Sequence, residues 1–371
     1  MKKIIFVLAS VAIIVACSSD DSVTPDDSAD TFDRKAMLIN WADEIIIPRY
    51  EFFDIAVNKL AADADIFTDE VTLEHLNDLR NSWQLAYTAF QNVSMFEIGA
   101  AESSRFRDRL NSYPTNTDEI LSNITEGNVD LSLPSTNDAQ GFPALDYLLF
   151  GVAENDTAIL EFYTSHPNAA ANKNYVTSLV QSMHMLSEAV LTDWQNQYRD
   201  EFVNNDGSSA SSSVDKLTND FIFYYEKSLR AGKIGIPAGV FSNEPLPENV
   251  EGRYSKIYSQ QLAVSALRAA RHFFEGRSFI SGKDELGYDD YLNYLNSTKN
   301  GDILSALISA QFGSSKAAID DLDDNLYDQV QNDNNAMLLA YDALQRNVIL
   351  LKVDMLQALS IDVDYIDADG D

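Results

Sequence analysis

The chain has 371 residues, with 58 Asp or Glu against 26 Lys or Arg, a formal net charge of −32. So acidic a surface repels phosphate backbones, which argues against nucleic acid as a partner. Only 15 Gly and 9 Pro suggest a mainly helical chain, and a single Cys excludes an internal disulfide and a thiolate-ligated metal cluster.

Lys2 and Lys3 precede an apolar run from Ile4 to Ala16, too short to span a bilayer as a helix. The run ends Ile14-Val15-Ala16-Cys17, which is similar to a bacterial lipobox. The expectation is a signal peptide over 1–16 and a lipidated Cys17 anchoring the chain to the outer membrane. Two or more acyl chains, at ~0.8 kcal/mol per buried methylene, hold such an anchor stably. Residues 17–32, opening Ser18-Ser19-Asp20-Asp21, read as a solvated acidic tether. That opening also resembles an export tag of surface lipoproteins, so both the periplasmic face and the cell surface stay open.

Beyond the tether the pattern is helical. Leu76, Leu79, Trp83, Ala86, Phe90 and Val93 recur at steps of three and four, as do Leu179, Met183, Leu186, Val190 and Trp194. Tyr341, Leu344, Val348, Leu351 and Met355 form a third stripe. Such stripes belong to a core rather than to a cofactor site. Further helices are expected near 33–62, 143–150, 213–231, 254–275, 288–296, 302–312 and 314–331. The serine-rich stretch Asn204–Ser213 is the best boundary. The expectation is an all-α protein of two helical-bundle domains, 33–203 and 214–366. The closing Asp367-x-Asp369-Gly370-Asp371 lacks the acids that a calcium loop needs and reads as an acidic tail.

Several spaced segments share one resemblance. Gly141-Phe142-Pro143-Ala144-Leu145-Asp146-Tyr147-Leu148-Leu149-Phe150-Gly151 is similar to the signature of the imelysin family, Gly-x-His-x-x-Glu followed by Tyr-Leu-Leu and a Gly. Ile47-Pro48-Arg49-Tyr50 resembles the family's first helix with its internal Pro, whose usual cost of ~3 kcal/mol implies a wanted bend. Trp83-Gln84-x-x-Tyr87-x-x-Phe90-Gln91 and Phe96-Glu97-Ile98-Gly99-Ala100-Ala101 resemble its second helix and following turn, with Ala100 for the usual Pro. Lys233-Ile234-Gly235-Ile236-Pro237 and Val250-Glu251-Gly252-Arg253-Tyr254-Ser255 resemble segments of its second domain. The resemblance implies a cell-envelope protein linked to iron or haem-related uptake, with iron or another divalent metal as cofactor and an outer-membrane transporter as partner. It also implies, as an alternative, a metallopeptidase.

This chain departs from the family where the chemistry lies. A His and an acid at i, i+3 share one helix face and can share a metal or a proton. Pro143 and Asp146 stand in those places. Pro143 fits a first helical turn but has no ionisable group. Asp146 then either favours its own helix N-terminus through the macrodipole or contacts a ligand. The four histidines, His75, His166, His184 and His272, give no metal signal by spacing, although His272 and Glu275 copy the lost i, i+3 pair. No phosphate loop, zincin or Gly-x-Ser-x-Gly pattern occurs. Peptidase activity is therefore not expected, and no catalytic residue is assigned. Around Asp146 the expected ligand site comprises Phe142, Tyr147, Phe96, Arg105, Arg107, Asn111 and Tyr113, an apolar lining with a few polar groups. Arg105 and Arg107 either bind an anion or pair with acids. An interaction protein for a peptide or glycan remains a further alternative.

Overall fold

The computed structural model describes residues 31–127 and 129–365. The expected signal peptide, Cys17, most of the tether and the acidic tail lie outside the described residues.

α1 (Arg34–Asn40), a stretch of wide i→i+5 turns at Trp41–Ile46 and α2 (Ile47–Asp69) run on without a break. The helix opens on Asp33, whose side chain accepts from Ala36 N–H at 2.9 Å. Pro48 sits just beyond the wide turns, where the helix has already loosened. A proline has no N–H to give the carbonyl four residues back. That carbonyl, Glu44 O, accepts instead from Phe279 N–H at 2.8 Å. The missing donor thus becomes a tie to the far half of the chain.

α3 (Leu73–Phe90) and the long α9 (Ala169–Asp193) flank α2. Between them come α4 (Ala100–Ser104), α5 (Phe106–Asn111), α6 (Thr117–Glu126), α7 (Gly141–Asp146) and α8 (Asp156–Thr164). α7 continues in wide turns over Tyr147–Gly151, and α9 (Ala169–Asp193) continues likewise into α10 (Arg199–Asn204). The stripes expected in α3 and α9 face inward: Leu76, Leu79, Trp83, Ala86, Phe90, Leu179, Met183, Val190 and Trp194 are all buried.

After the serine-rich turn, α11 (Ser213–Phe223) runs into twelve residues of wide turns, Tyr224–Gly235. α12 (Ser259–Phe274), α13 (Tyr288–Tyr294), α14 (Leu304–Asp320), α15 (Leu326–Asn332), α16 (Asn334–Ile349) and α17 (Leu356–Leu359) follow. The strands β1 (Thr298–Lys299) and β2 (Asp302–Ile303) make one short antiparallel hairpin. The fold is all-α, as composition suggests. One helix was divided by the sequence reading where the chain does not divide. The break expected at Gly313 is absent, because Leu304, Ile308, Phe312 and Ile319 carry one buried face through α14. A lone Gly costs a helix only about 1 kcal/mol.

Residues from Asp33 onward form one compact unit. The first helix packs on the last third of the chain: Trp41 lies 4.7 Å from Tyr288 and 5.1 Å from Phe273, ring centre to ring centre. The Asn40 side-chain amide donates to Gly276 O (2.8 Å) and Leu286 O (3.0 Å).

Candidate functional site: a polar cavity between the two halves

Both glycines of the 141–151 segment have a steric reason. Gly141 has φ +73°, and a Cβ there would lie 2.3 Å from Leu110 O, so only Gly lets α7 start against α5. A Cβ on Gly151 would lie 2.3 Å from the Tyr254 ring. Between them Phe142 stacks on Tyr87, 4.5 Å apart and 5° from parallel, and its carbonyl accepts from Trp83 Nε1 at 3.1 Å. Pro143 is buried in the first turn of α7.

Asp146 is buried, and its carboxylate faces the second half of the chain. Its two oxygens accept the N–H groups of Tyr254 and Ser255, each at 2.8 Å. The macrodipole reading does not hold, because Asp146 ends α7 instead of opening it and its partners belong to a distant loop. Burial pushes its carboxyl up to about 7, against the pull of the two amides and the more distant Arg253. Its neighbour Tyr147 packs on Tyr254, 5.2 Å between ring centres.

The segments that carried the resemblance meet beside this latch. Tyr87 OH donates to Asn111 Oδ1, and Asn111 Nδ2 donates to Glu251 Oε1 at 2.8 Å. Gln91 Nε2 reaches the same oxygen at 3.4 Å, and Lys233 Nζ pairs with Glu251 Oε2. Lys233 and Glu251 are 3% and 2% exposed, so the pair is fully withdrawn from water. Burial lowers the Lys233 ammonium below its ordinary value, and Glu251 opposes that shift.

A cavity of about 260 Å³ opens over this network. Its walls come from the end of α3 with Gln91 and Ser94, from α5 with Arg107 and Asn111, from Tyr113, and from the wide-turned segment with Tyr224, Ser228 and Lys233. Such turns are rare and collect at functional sites. At Gly232 a Cβ would come within 3.1 Å of Tyr113 OH, so the glycine leaves that hydroxyl its place.

Three buried groups on the cavity wall lack a hydrogen bond: Gln91 Oε1, Ser94 Oγ and Tyr224 OH. The Ser94 and Tyr224 hydroxyls lie near each other, but in poor geometry for a bond. Arg107, by contrast, is engaged through Nε and Nη2. Its guanidinium donates to Asp220 Oδ1 (2.9 Å) and Ser94 O (2.6 Å), and its backbone N–H donates to Glu97 (3.0 Å). Its plane lies over the Tyr224 ring, 5.5 Å from the centre. Glu97, largely buried, is raised to about 7 by desolvation despite Arg107.

Of the residues expected at a ligand site, Arg107, Asn111 and Tyr113 line the cavity. Phe142 and Phe96 are core, the latter edge-on to Phe273 at 5.1 Å. Asp146 is spent on the 254–255 loop, and Tyr147 faces a separate depression with Leu121 and His166. Arg105, at φ +54°, reaches Ser132 O on the outside. Ser94 and Tyr224 join the cavity without an expectation from sequence, and Gln91, Lys233 and Glu251 come from the segments that carry the resemblance. Polar residues inside apolar helical stripes were the available signal.

The residues present do not fit a metal. Among the described residues no group of three or more His, Cys, Asp or Glu is placed to hold one. The His272–Glu275 spacing yields no site either, since Glu275 is taken by Arg271 (2.7 Å) and Arg277 (3.2 Å). Burial and the arginines around it lower His272 to about 4.

Two solved structures share the fold. An imelysin-like protein from Psychrobacter arcticum 273-4 is 18% identical, with a TM-score of 0.67, over 90% of this chain and 97% of that one. A Parabacteroides distasonis ATCC 8503 chain, described as an iron-regulated protein A precursor, is 16% identical, with a TM-score of 0.71, over 87% and 94%. No curated protein sequence matches. The imelysin profile, Peptidase_M75, matches residues 46–351, a span that takes in the latch, the buried ion pair and every wall of the cavity. The chain belongs to the imelysin family.

Proposed function

We propose that this chain is a binding protein of the cell envelope, anchored to the outer membrane through a lipid on Cys17, that holds a small ligand in the cavity between its halves and has no peptidase activity. One observation carries the reading: three residues that line one cavity, Gln91, Ser94 and Tyr224, each hold a buried polar atom without a hydrogen bond. A buried polar group left unpaired costs ~1–3 kcal/mol, so a ligand that pairs with these groups gains what the free protein forgoes. The loss of peptidase chemistry follows from Pro143, which cannot ligate or transfer a proton, and from Asp146, whose oxygens are held by Tyr254 and Ser255. Purified protein with added Zn²⁺ or Fe²⁺ is expected to leave casein intact. Chelator-sensitive cleavage that Asp146→Ala abolishes would overturn this. Labelled palmitate fed to cells is expected to mark the wild type and not Cys17→Ala.

A second reading links the protein to iron or haem uptake alongside an outer-membrane transporter. The description of the Parabacteroides protein as iron-regulated favours it. In that case haemin or ferric citrate quenches the buried tryptophans in a saturable titration.

A further inference from the structure

We infer that the cavity takes an uncharged, polyhydroxylated ring of monosaccharide size, free or at the end of a glycan chain. The inference rests on the cavity being the binding site proposed above, and adds the chemistry of its occupant.

Charge is the first consideration. The cavity has two basic side chains, and both are already neutralised. Arg107 is paired with Asp220 at 2.9 Å and lies 3.9 Å from Glu97, while Lys233 is paired with Glu251. An anionic ligand would have to compete with an internal carboxylate for a cation that is already paired. Breaking such a pair leaves a buried charge uncompensated and is strongly unfavourable. A chain carrying −32 overall also repels an approaching anion. A bare cation is no better served, since no group of three metal-donating side chains exists among the described residues. Apart from the exposed carboxylate of Asp108, the other polar groups of the walls are neutral.

The neutral groups have a common character. Hydroxyls come from Ser94, Ser112, Tyr113, Tyr224 and Ser228, and amides from Gln91, Asn111 and Asn249. The groups left unpaired are two hydroxyls and an amide oxygen. A hydroxyl both donates and accepts, and an amide oxygen accepts only. A ligand that satisfies all three must therefore donate and accept from neighbouring atoms, as vicinal hydroxyls do. Phe90 and the Tyr113 ring supply apolar wall for the C–H face of such a ring. At about 260 Å³ the space falls below the ~300 Å³ at which pockets for drug-sized ligands begin, and suits a single ring.

The test is a thermal-shift and calorimetric titration of the whole mature protein. The probes are glucose, galactose, mannose, N-acetylglucosamine and maltotriose, with glucuronate, haemin and ferric citrate as charged counterparts. At least one neutral sugar is expected to bind and to raise the melting temperature. Ser94→Val and Tyr224→Phe are each expected to weaken it about fivefold to tenfold, the value of one neutral hydrogen bond. Ser228→Phe, which fills the cavity from a half-exposed position, is expected to abolish binding in a protein that still melts cooperatively. Preference for maltotriose over glucose identifies a chain end as the source; the reverse identifies a free sugar. Failure of every neutral probe at millimolar concentration overturns the inference. Binding of only a charged probe, blocked by Ser228→Phe, overturns the inference and leaves the cavity as the binding site. Binding that Ser228→Phe and both hydrogen-bond variants leave unchanged removes the cavity as well.

Discussion

The motif helix α7 and the cavity beside it share neighbours and make opposite use of polar groups. In α7 the side-chain oxygens and the carbonyl nearest the cavity network are taken. Phe142 O is bound by Trp83, and both Asp146 oxygens are bound by backbone N–H groups of the distant 254–255 loop. Across Tyr87 and Asn111, Gln91, Ser94 and Tyr224 each keep an unused hydrogen-bonding atom. The position that bears the family's ionisable pair is here a structural joint, and the unpaired polar groups sit on other segments, at Gln91, Ser94 and Tyr224. A motif locates a region; the unsatisfied groups locate what in that region is available.

Four measurements would sharpen or break this contrast. The largest effect is expected at the cavity floor. Lys233→Met leaves Glu251 buried and alone, and should destabilise by ~3–5 kcal/mol; adding Glu251→Gln should recover most of that. Chemical denaturation of both variants checks it, and equal losses in both would mean that the pair is not the source of the cost. Next comes Asp146→Ala, which orphans the buried N–H of Ser255 and that of Tyr254. A loss of ~3 kcal/mol and a fall of several degrees in melting temperature are expected. An unchanged melting temperature would return Asp146 to the list of free site residues.

A smaller effect concerns pH. Burial raises Asp146, Glu97 and Asp289 to about 7, above the ordinary carboxyl values they regain on unfolding. Between roughly pH 4 and 7 the native state therefore holds more protons than the unfolded chain. The stability these groups give is complete below about pH 4 and is lost as pH rises through about 7. Melting temperature at constant ionic strength should fall from pH 5 to pH 8; a rise would contradict the sign. The smallest effect is expected at the cavity wall. Ser94→Ala removes a buried hydroxyl that has no hydrogen bond, and should leave stability unchanged or raise it by up to ~1 kcal/mol while weakening ligand binding. A loss comparable with that of Asp146→Ala would make Ser94 structural too.

The sequence disclosed the helical class because the stripes through Leu76–Val93 and Leu179–Trp194 bury one face each, a local property of spacing. Arg107, Asn111 and Tyr113, expected beside a ligand from the position of the resemblance and from their polar and aromatic mix, line the cavity. The sequence could not disclose that Asp146 meets residues 254 and 255, or that Lys233 meets Glu251, since neither pairing leaves a periodic trace. Short helices such as α4 and α5 were also invisible. They hold one or two buried residues each and take their place from Gly99 and Gly141, where bulkier side chains would strike Tyr198 or Leu110.

The reach of Asn40 to Gly276 and Leu286 has a temporal consequence. The partners of this first-helix side chain lie about three-quarters of the way along the 371 residues. At ~5–20 residues per second, the ribosome needs roughly ten to fifty seconds to deliver Leu286 after Asn40. For all that time the N-terminal helix lacks the surface that buries Trp41. A chain so arranged cannot bury Trp41 against Phe273 and Tyr288 until those residues have been made, so its first helix stays incompletely packed for most of synthesis.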